Sequence, residues 1–249
     1  MKTITSLQNP LVKHFVKLRQ NSDYRHEHKT FFIDSLKVIE EISTAIKPLT
    51  LLVTDKSLIP STISQATDVI IVPEEIIQKI TGLNHPEGII AEFTLPYFDR
   101  FPIVNTHQVI LDHISDPGNL GSIFRTALGF GWHSILLTQD CCDPYNEKAL
   151  RASRGAIFHL PHFILPKANI IQILQEEGKE CFIADINGVL LEDISKNSKP
   201  KVIVLSNESS GPSPEFLERG TKITIPMQRK LESLNVSIAG GIIMYALRP

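Results

Sequence analysis

Apolar and polar positions fall into blocks along this chain, and the spacing inside each block predicts its element. LVKHFVKLR (11–19) sets apolar side chains at 11, 12, 15, 16 and 18 with basic residues between them, a helical stripe. FFIDSLKVIEEISTA (31–45) reads as a strand running into a helix, and LTLLVTD (49–55) as a strand. VIIVPEEIIQKITG (69–82) is a strand followed by a helix that stops at Gly82, and GIIAEFTL (88–95) is a further strand. Residues 1–95 therefore form a small α/β unit. LPYFDRFPIVNTH carries two prolines and no clear period, so residues 96–106 read as a linker.

A second alternating series fills 107–249. Strands are predicted at 108–114, 133–139, 181–186, 201–207 and 222–227, and helices at 120–131, 146–153, 168–178 and 212–220. Apolar strands alternating with helices argue for an α/β class with a mostly parallel sheet covered on both faces. The chain closes on LESLNVSIAGGIIMYALRP (231–249), a helix apolar nearly all round and so predicted to be buried on every side. Its paired Gly240 and Gly241 each cost about 1 kcal/mol relative to Ala, which marks a place where another backbone comes close.

Composition changes this picture little. At 249 residues and 42% apolar the chain can bury a sizeable core, and its longest apolar run is too short for a membrane span. The N-terminal residues lack the apolar region of a signal peptide. Three cysteines, two of them adjacent, fit a reduced, cytoplasmic protein. Charge adds more. The net value is only −2, but Lys2, Lys13, Lys17, Arg19, Arg25 and Lys29 crowd the first 29 residues against Asp23 and Glu27. A local basic patch can neutralise phosphates on an acidic protein, and a solvated helix face is the plainer alternative.

Three clusters carry candidate chemistry. In LDHISDPGNLGSIFRTALGFG (111–131) a turn signal leads into a helix for which Asn119 is a candidate N-cap, with Arg125 well off the buried stripe. Such a cation suits a phosphate or carboxylate, or is simply a surface Arg. In VIVLSNESSGPSPEF (202–216) an apolar strand ends in a polar loop holding Glu208, where open α/β sheets bind ligands. In ITIPMQRKLESLNVSIAGG, Ser233 or Asn235 can cap the last helix. No dinucleotide fingerprint, P-loop, nucleophile elbow or metal-ligand spacing occurs, so no metal is assigned.

In this order the clusters resemble the SpoU, or TrmH-like, RNA ribose 2′-O-methyltransferases. The first motif is seen as Asp116-Pro117-Gly118-Asn119-Leu120-Gly121 with Arg125-Thr126-Ala127 and Phe130-Gly131. The second is Ser206-Asn207-Glu208-Ser209-Ser210-Gly211. The third is Ile225-Pro226-Met227 with Ser233-Leu234-Asn235-Val236-Ser237. RASRGAIFHLP (151–161) looks like the family's connecting segment, and residues 1–95 are similar to its N-terminal substrate-binding domain, of ribosomal-protein fold.

The resemblance implies a SPOUT-type domain with a deep trefoil knot, S-adenosylmethionine as cofactor, a homodimer through the C-terminal domain, and RNA as substrate, ribosomal rather than transfer RNA. It implies a cofactor site of Leu205, Ser206, Glu208, Gly211, Ile225, Met227, Ser233 and Leu234. Asn119, Arg125, Glu208, Ser233 and Asn235 are the implied catalytic set, with Lys13, Lys17, Arg19, Arg25 and Arg125 toward RNA. Neither membrane nor metal is implied. Ser206 stands where the family usually has Gly, a residue suited to close approach or unusual φ. A transfer-RNA methyltransferase, or a non-catalytic RNA-binding protein that kept the knot, are the alternative readings.

Overall fold

The structure, a computed structural model, describes residues 1–63, 67–96, 98, 106–195, 197–228 and 233–249. Most of the expected linker, 96–106, lies outside the described residues. The chain forms two compact units, Met1–Tyr97 with Tyr145–Arg151, and Phe98–Pro144 with Ala152–Pro249.

The first unit runs β1 (Lys2–Thr3), α1 (Pro10–Gln20), α2 (Ser22–His28), β2 (Thr30–Ile33), α3 (Leu36–Ser43), β3 (Thr50–Val53), β4 (Asp68–Ile71), α4 (Glu74–Thr81) and β5 (Ile89–Thr94). Its sheet has the order β1-β4-β3-β5-β2, with β5 antiparallel to both β3 and β2. Asn9 caps α1 ahead of Pro10, and Gly82 ends α4 in the left-handed region at φ +69°. Val12, Phe15 and Leu18 of α1 bury against Ile76, Ile77 and Ile80 of α4. Tyr145–Arg151, which the sequence reading puts in 107–249, groups with this unit. Arg151 grips the withdrawn Asp34 carboxylate through Nε at 3.1 Å and Nη2 at 2.8 Å, and Tyr145 packs on Phe31.

The second unit runs β6 (Gln108–Asp112), α5 (Pro117–Gly129), β7 (Ser134–Thr138), α6 (Glu147–Ser153, begun in the first unit), α7 (Ala156–His159), β8 (His162–Leu165), α8 (Lys167–Glu177), β9 (Glu180–Leu190), β10 (Lys201–Ser206), α9 (Pro214–Leu217), β11 (Thr221–Thr224) and α10 (Val236–Ala246). Its sheet is parallel throughout, ordered β11-β9-β10-β6-β7-β8. The central strands β6, β7 and β10 are buried along their whole length, as continuous apolar runs in a two-face-covered sheet should be. No helix among the described residues is long and apolar enough to cross a membrane.

Two expectations about α10 change. The helix is not buried all round, because Ile238, Ile242 and Tyr245 are 58%, 41% and 55% exposed. The neighbour that needs Gly240 is a side chain rather than a backbone: a Cβ there would stand 2.6 Å from Leu205 Cδ1 of β10.

Candidate functional site

The three motif segments meet beyond the carboxyl ends of β10 and β6. Pro117 presets the first helical φ, so α5 starts earlier than the sequence suggests. Asp116, not Asn119, is its N-cap, with Oδ1 accepting from Asn119 N at 2.7 Å. That leaves the Asn119 side chain to reach across the chain. Its Oδ1 accepts from Asn235 Nδ2 at 2.8 Å, and its Nδ2 donates to Glu208 Oε1 at 3.4 Å. Glu208 Oε1 also accepts from Val236 N at 2.8 Å. Asn235 meanwhile caps α10, its Oδ1 accepting from Ser237 N and Ile238 N. One polar relay thus ties residues of all three motifs, and Glu208 orients the backbone at the start of α10.

Beside this relay lies a cavity of about 510 Å³. All eight residues expected around a cofactor line it: Leu205, Ser206, Glu208, Gly211, Ile225, Met227, Ser233 and Leu234. Its lining mixes apolar side chains with polar ones, the usual make-up of a small-molecule site. Ser206 is absent from the residues with positive φ and keeps parallel register with Asp112, so the backbone here does not require Gly. Gly211, at φ +66°, does occupy the region that favours Gly. Arg125 is exposed on α5, and no hydrogen bond or ion pair engages it among the described residues.

Asp112 supports this site, although the sequence pattern did not single it out. It is fully buried at the end of β6 and clamps both ends of the loop that carries Glu208. Its backbone carbonyl accepts from Asn207 N at 3.3 Å, while its carboxylate accepts from Ser213 N at 2.8 Å and Ser213 Oγ at 3.0 Å. His113 Nδ1 lies 2.7 Å from Oδ1, and Lys167 Nζ at 3.9 Å offsets the buried charge. The available signal was a lone carboxylate closing the apolar run VILD. The cavity wall 184–187, from β9, carries no motif and was missed as well.

On the first unit the basic candidates separate. Lys13 and Lys17 are exposed, with Lys17 Nζ 5.2 Å over the Tyr24 ring. Arg19 is half-buried and donates to Lys79 O at 3.4 Å, at the C-terminal end of α4. Arg25 does not belong to an RNA-facing surface. It is 3% exposed, and its guanidinium donates to the carbonyls of Leu18 and Arg19, which the end of α1 would otherwise leave unpaired.

Residues 106–245 match the SpoU rRNA Methylase family, over more than half of the chain. The chain belongs to that family. Residues 9–91 of this SpoU protein match the MRM3-like substrate binding domain. It is 29% identical to the 23S rRNA (guanosine(2553)-2′-O)-methyltransferase RlmP of Bacillus subtilis, over 100% of each chain. It is 30% identical to an uncharacterized tRNA/rRNA methyltransferase of Synechocystis, covering 99% of this chain and 93% of the relative. Among solved structures, the AdoMet-bound rRNA methyltransferase from Sinorhizobium meliloti superposes on the SpoU protein with a TM-score of 0.88 at 30% identity, covering 99% and 97% of the two chains.

Proposed function

We propose that this SpoU protein methylates a ribose 2′-hydroxyl of RNA, ribosomal RNA in particular, with S-adenosylmethionine as methyl donor. The observation that carries the reading is the meeting of the three motifs in one relay beside a largely apolar cavity. The cavity suits the cofactor. Its volume falls inside the range of roughly 300–1,000 Å³ usual for such ligands. Leu205, Ile225, Met227 and Leu234 offer apolar surface to an adenine, and Ser206, Gly211 and Ser233 offer polar or backbone groups. S-adenosylmethionine supplies an electrophilic methyl on a sulfonium, a leaving group that needs no protonation.

The chain's own residues then have two tasks. Orientation is the larger, worth up to about 7–11 kcal/mol for a well-aligned approach. Arg125, exposed and without a partner among the described residues, holds the phosphate next to the target ribose and sets the hydroxyl in line with the methyl, while the hydroxyl proton leaves to solvent. Asn119, Asn235 and Glu208 fix the start of α10, so that Ser233 and Leu234 stay on the cavity wall. Lys13 and Lys17, with the exposed part of Arg19, extend phosphate contacts over the domain 1–95.

The same reading includes the trefoil knot, with residues after β11 returning to place α10 beside α5 and β10. It includes a cytoplasmic homodimer, for which the exposed Ile238, Ile242 and Tyr245 of α10 provide an apolar face. The non-catalytic alternative drew mainly on Ser206, and the ordinary backbone of that residue removes one of the two reasons for a Gly there, an unusual φ. Mapping of ribose methylation in total RNA, with and without the gene, tests the proposal. Loss of a 2′-O-methyl group from ribosomal RNA is expected, and an unchanged map contradicts it.

A further inference from the structure

The wall of the cavity that no motif supplies has a device of its own. β11 pairs with β9 in a broken register, Lys222 opposite Ile183 but Ile223 opposite Val189, so β9 bulges between those positions. The turn back requires Gly188, where a Cβ would lie 2.5 Å from Ile223 N. The bulge carries residues 184–187 onto the cavity. Inside it, Asp185 Oδ1 accepts from Asn187 N at 2.7 Å, which fixes the turn. Oδ2 faces Lys222 Nζ at 3.7 Å, too long for a hydrogen bond. The Asp185 side chain is only 12% exposed. A carboxylate on the cavity wall, its side chain largely withdrawn from water and its Oδ2 given no hydrogen-bond donor among the described residues, points to a cavity ligand as that donor.

The other carboxylate of the cavity, Glu208, is already engaged by Asn119 and Val236 N. Glu208 follows β10 and reaches Asn119 of α5, the helix after β6. Asp185 is on β9, two strands away from β6 and so about 10 Å across the sheet at roughly 4.8 Å per strand. The reactive end of a methyl donor belongs beside α5, where Arg125 lies, and its nucleoside then extends toward β9. Lys222 offsets the charge of Asp185 but leaves its lone pairs unfilled. That pairing weakens attraction for a cation and keeps the oxygen as a hydroxyl acceptor.

We propose that Asp185 reads the cofactor ribose, accepting hydrogen bonds from its hydroxyls through Oδ2. The same chemistry, a carboxylate beyond the end of a parallel strand taking a nucleoside hydroxyl, serves dinucleotide folds. The inference rests on the proposed function and deepens it.

The test is calorimetric titration of the full chain and of Asp185→Asn with S-adenosylhomocysteine and with its 3′-deoxy and 2′-deoxy ribose analogues. The Asn variant keeps an amide oxygen for the Asn187 turn and replaces the second acceptor with a donor. It is expected to bind S-adenosylhomocysteine about 10–100-fold more weakly, the range for a charge-assisted hydrogen bond. The unaltered chain is expected to lose a similar factor on at least one deoxy analogue, an arm that needs no variant, while Asp185→Asn loses about twofold or less on the same analogue. Unchanged affinity of Asp185→Asn, or an equal deoxy penalty in both proteins, overturns the assignment of Asp185 and leaves the cofactor reading standing. Failure of the unaltered chain to bind S-adenosylhomocysteine overturns the cofactor reading, and this inference with it.

Discussion

Gly240 and Gly241 are adjacent in α10 yet meet different neighbours, and alanine at each gives a matched pair of perturbations. On Gly240 a Cβ would stand 2.6 Å from Leu205 Cδ1 and 3.6 Å from Cδ2. On Gly241 the nearest atom is Thr126 Cγ2 at 3.6 Å, an ordinary contact. Both alanines gain the same helix propensity, about 0.8–1 kcal/mol, so that contribution cancels between them. What remains is overpacking at Gly240. Leu205 is fully buried in β10 and has little room to yield, which costs about 1–3 kcal/mol. Gly241→Ala is expected to stabilise the protein by up to about 1 kcal/mol, and Gly240→Ala to be about 1–3 kcal/mol less stable than Gly241→Ala. Because Leu205 also lines the cavity, Gly240→Ala alone should weaken binding of S-adenosylmethionine. Urea unfolding followed by tryptophan fluorescence is the assay. The single tryptophan, Trp132, is buried and donates through Nε1 to Met244 O of α10 at 3.2 Å, so it reports on the docking of that helix. Equal shifts in the two variants would refute the packing argument.

Other substitutions probe separate parts of the account. Arg125→Ala is expected to abolish RNA methylation while calorimetry still detects S-adenosylmethionine binding; an active variant refutes the role given to Arg125. Ile242→Glu, on the exposed face of α10, should convert a dimer to a monomer in analytical ultracentrifugation, and an unaltered dimer would place the interface elsewhere. Burial pushes the His162 imidazole from an ordinary 6.5 down to about 4, against an opposing hydrogen bond with the Leu160 carbonyl. Its folded value is therefore the lower one, and its contribution is fully present above about pH 6.5 and falls as pH drops toward 4, with a slope of up to about 1.4 kcal/mol per pH unit. Unfolding free energy measured across that window should fall less steeply in His162→Gln, and an identical slope would contradict the assignment.

The elements legible in the sequence were those with a strong period or clear punctuation. The α1 stripe, the stop of α4 at Gly82 and the apolar runs of β6, β7 and β10 all stand where the pattern put them. Short elements carried too little signal. α2 has mostly polar positions, and α7 and β8 together span few residues around Pro161. The full length of β9 was hidden because its bulge interrupts the alternation beyond Ile186. At the site, residue types inside motifs were legible and their partners were not. Nothing local says that Glu208 holds Val236 N, or that Asn119 bonds to Asn235 across 116 positions. Arg25 looked like one more surface cation, since only the α1–α2 packing turns its guanidinium onto backbone carbonyls. The apolar face of α10 misled for a related reason, as a helix-wide apolar pattern does not say whether its cover comes from the same chain.

The central claim is that three segments distant in the chain build a single cofactor site. Amide hydrogen exchange of the full chain, with and without S-adenosylmethionine, tests it most directly. The account predicts that backbone amides in 205–211, 223–228 and 233–239 slow together, with 184–188 joining them and the domain 1–95 unchanged. Protection confined to one segment, or appearing away from all of them, would contradict it.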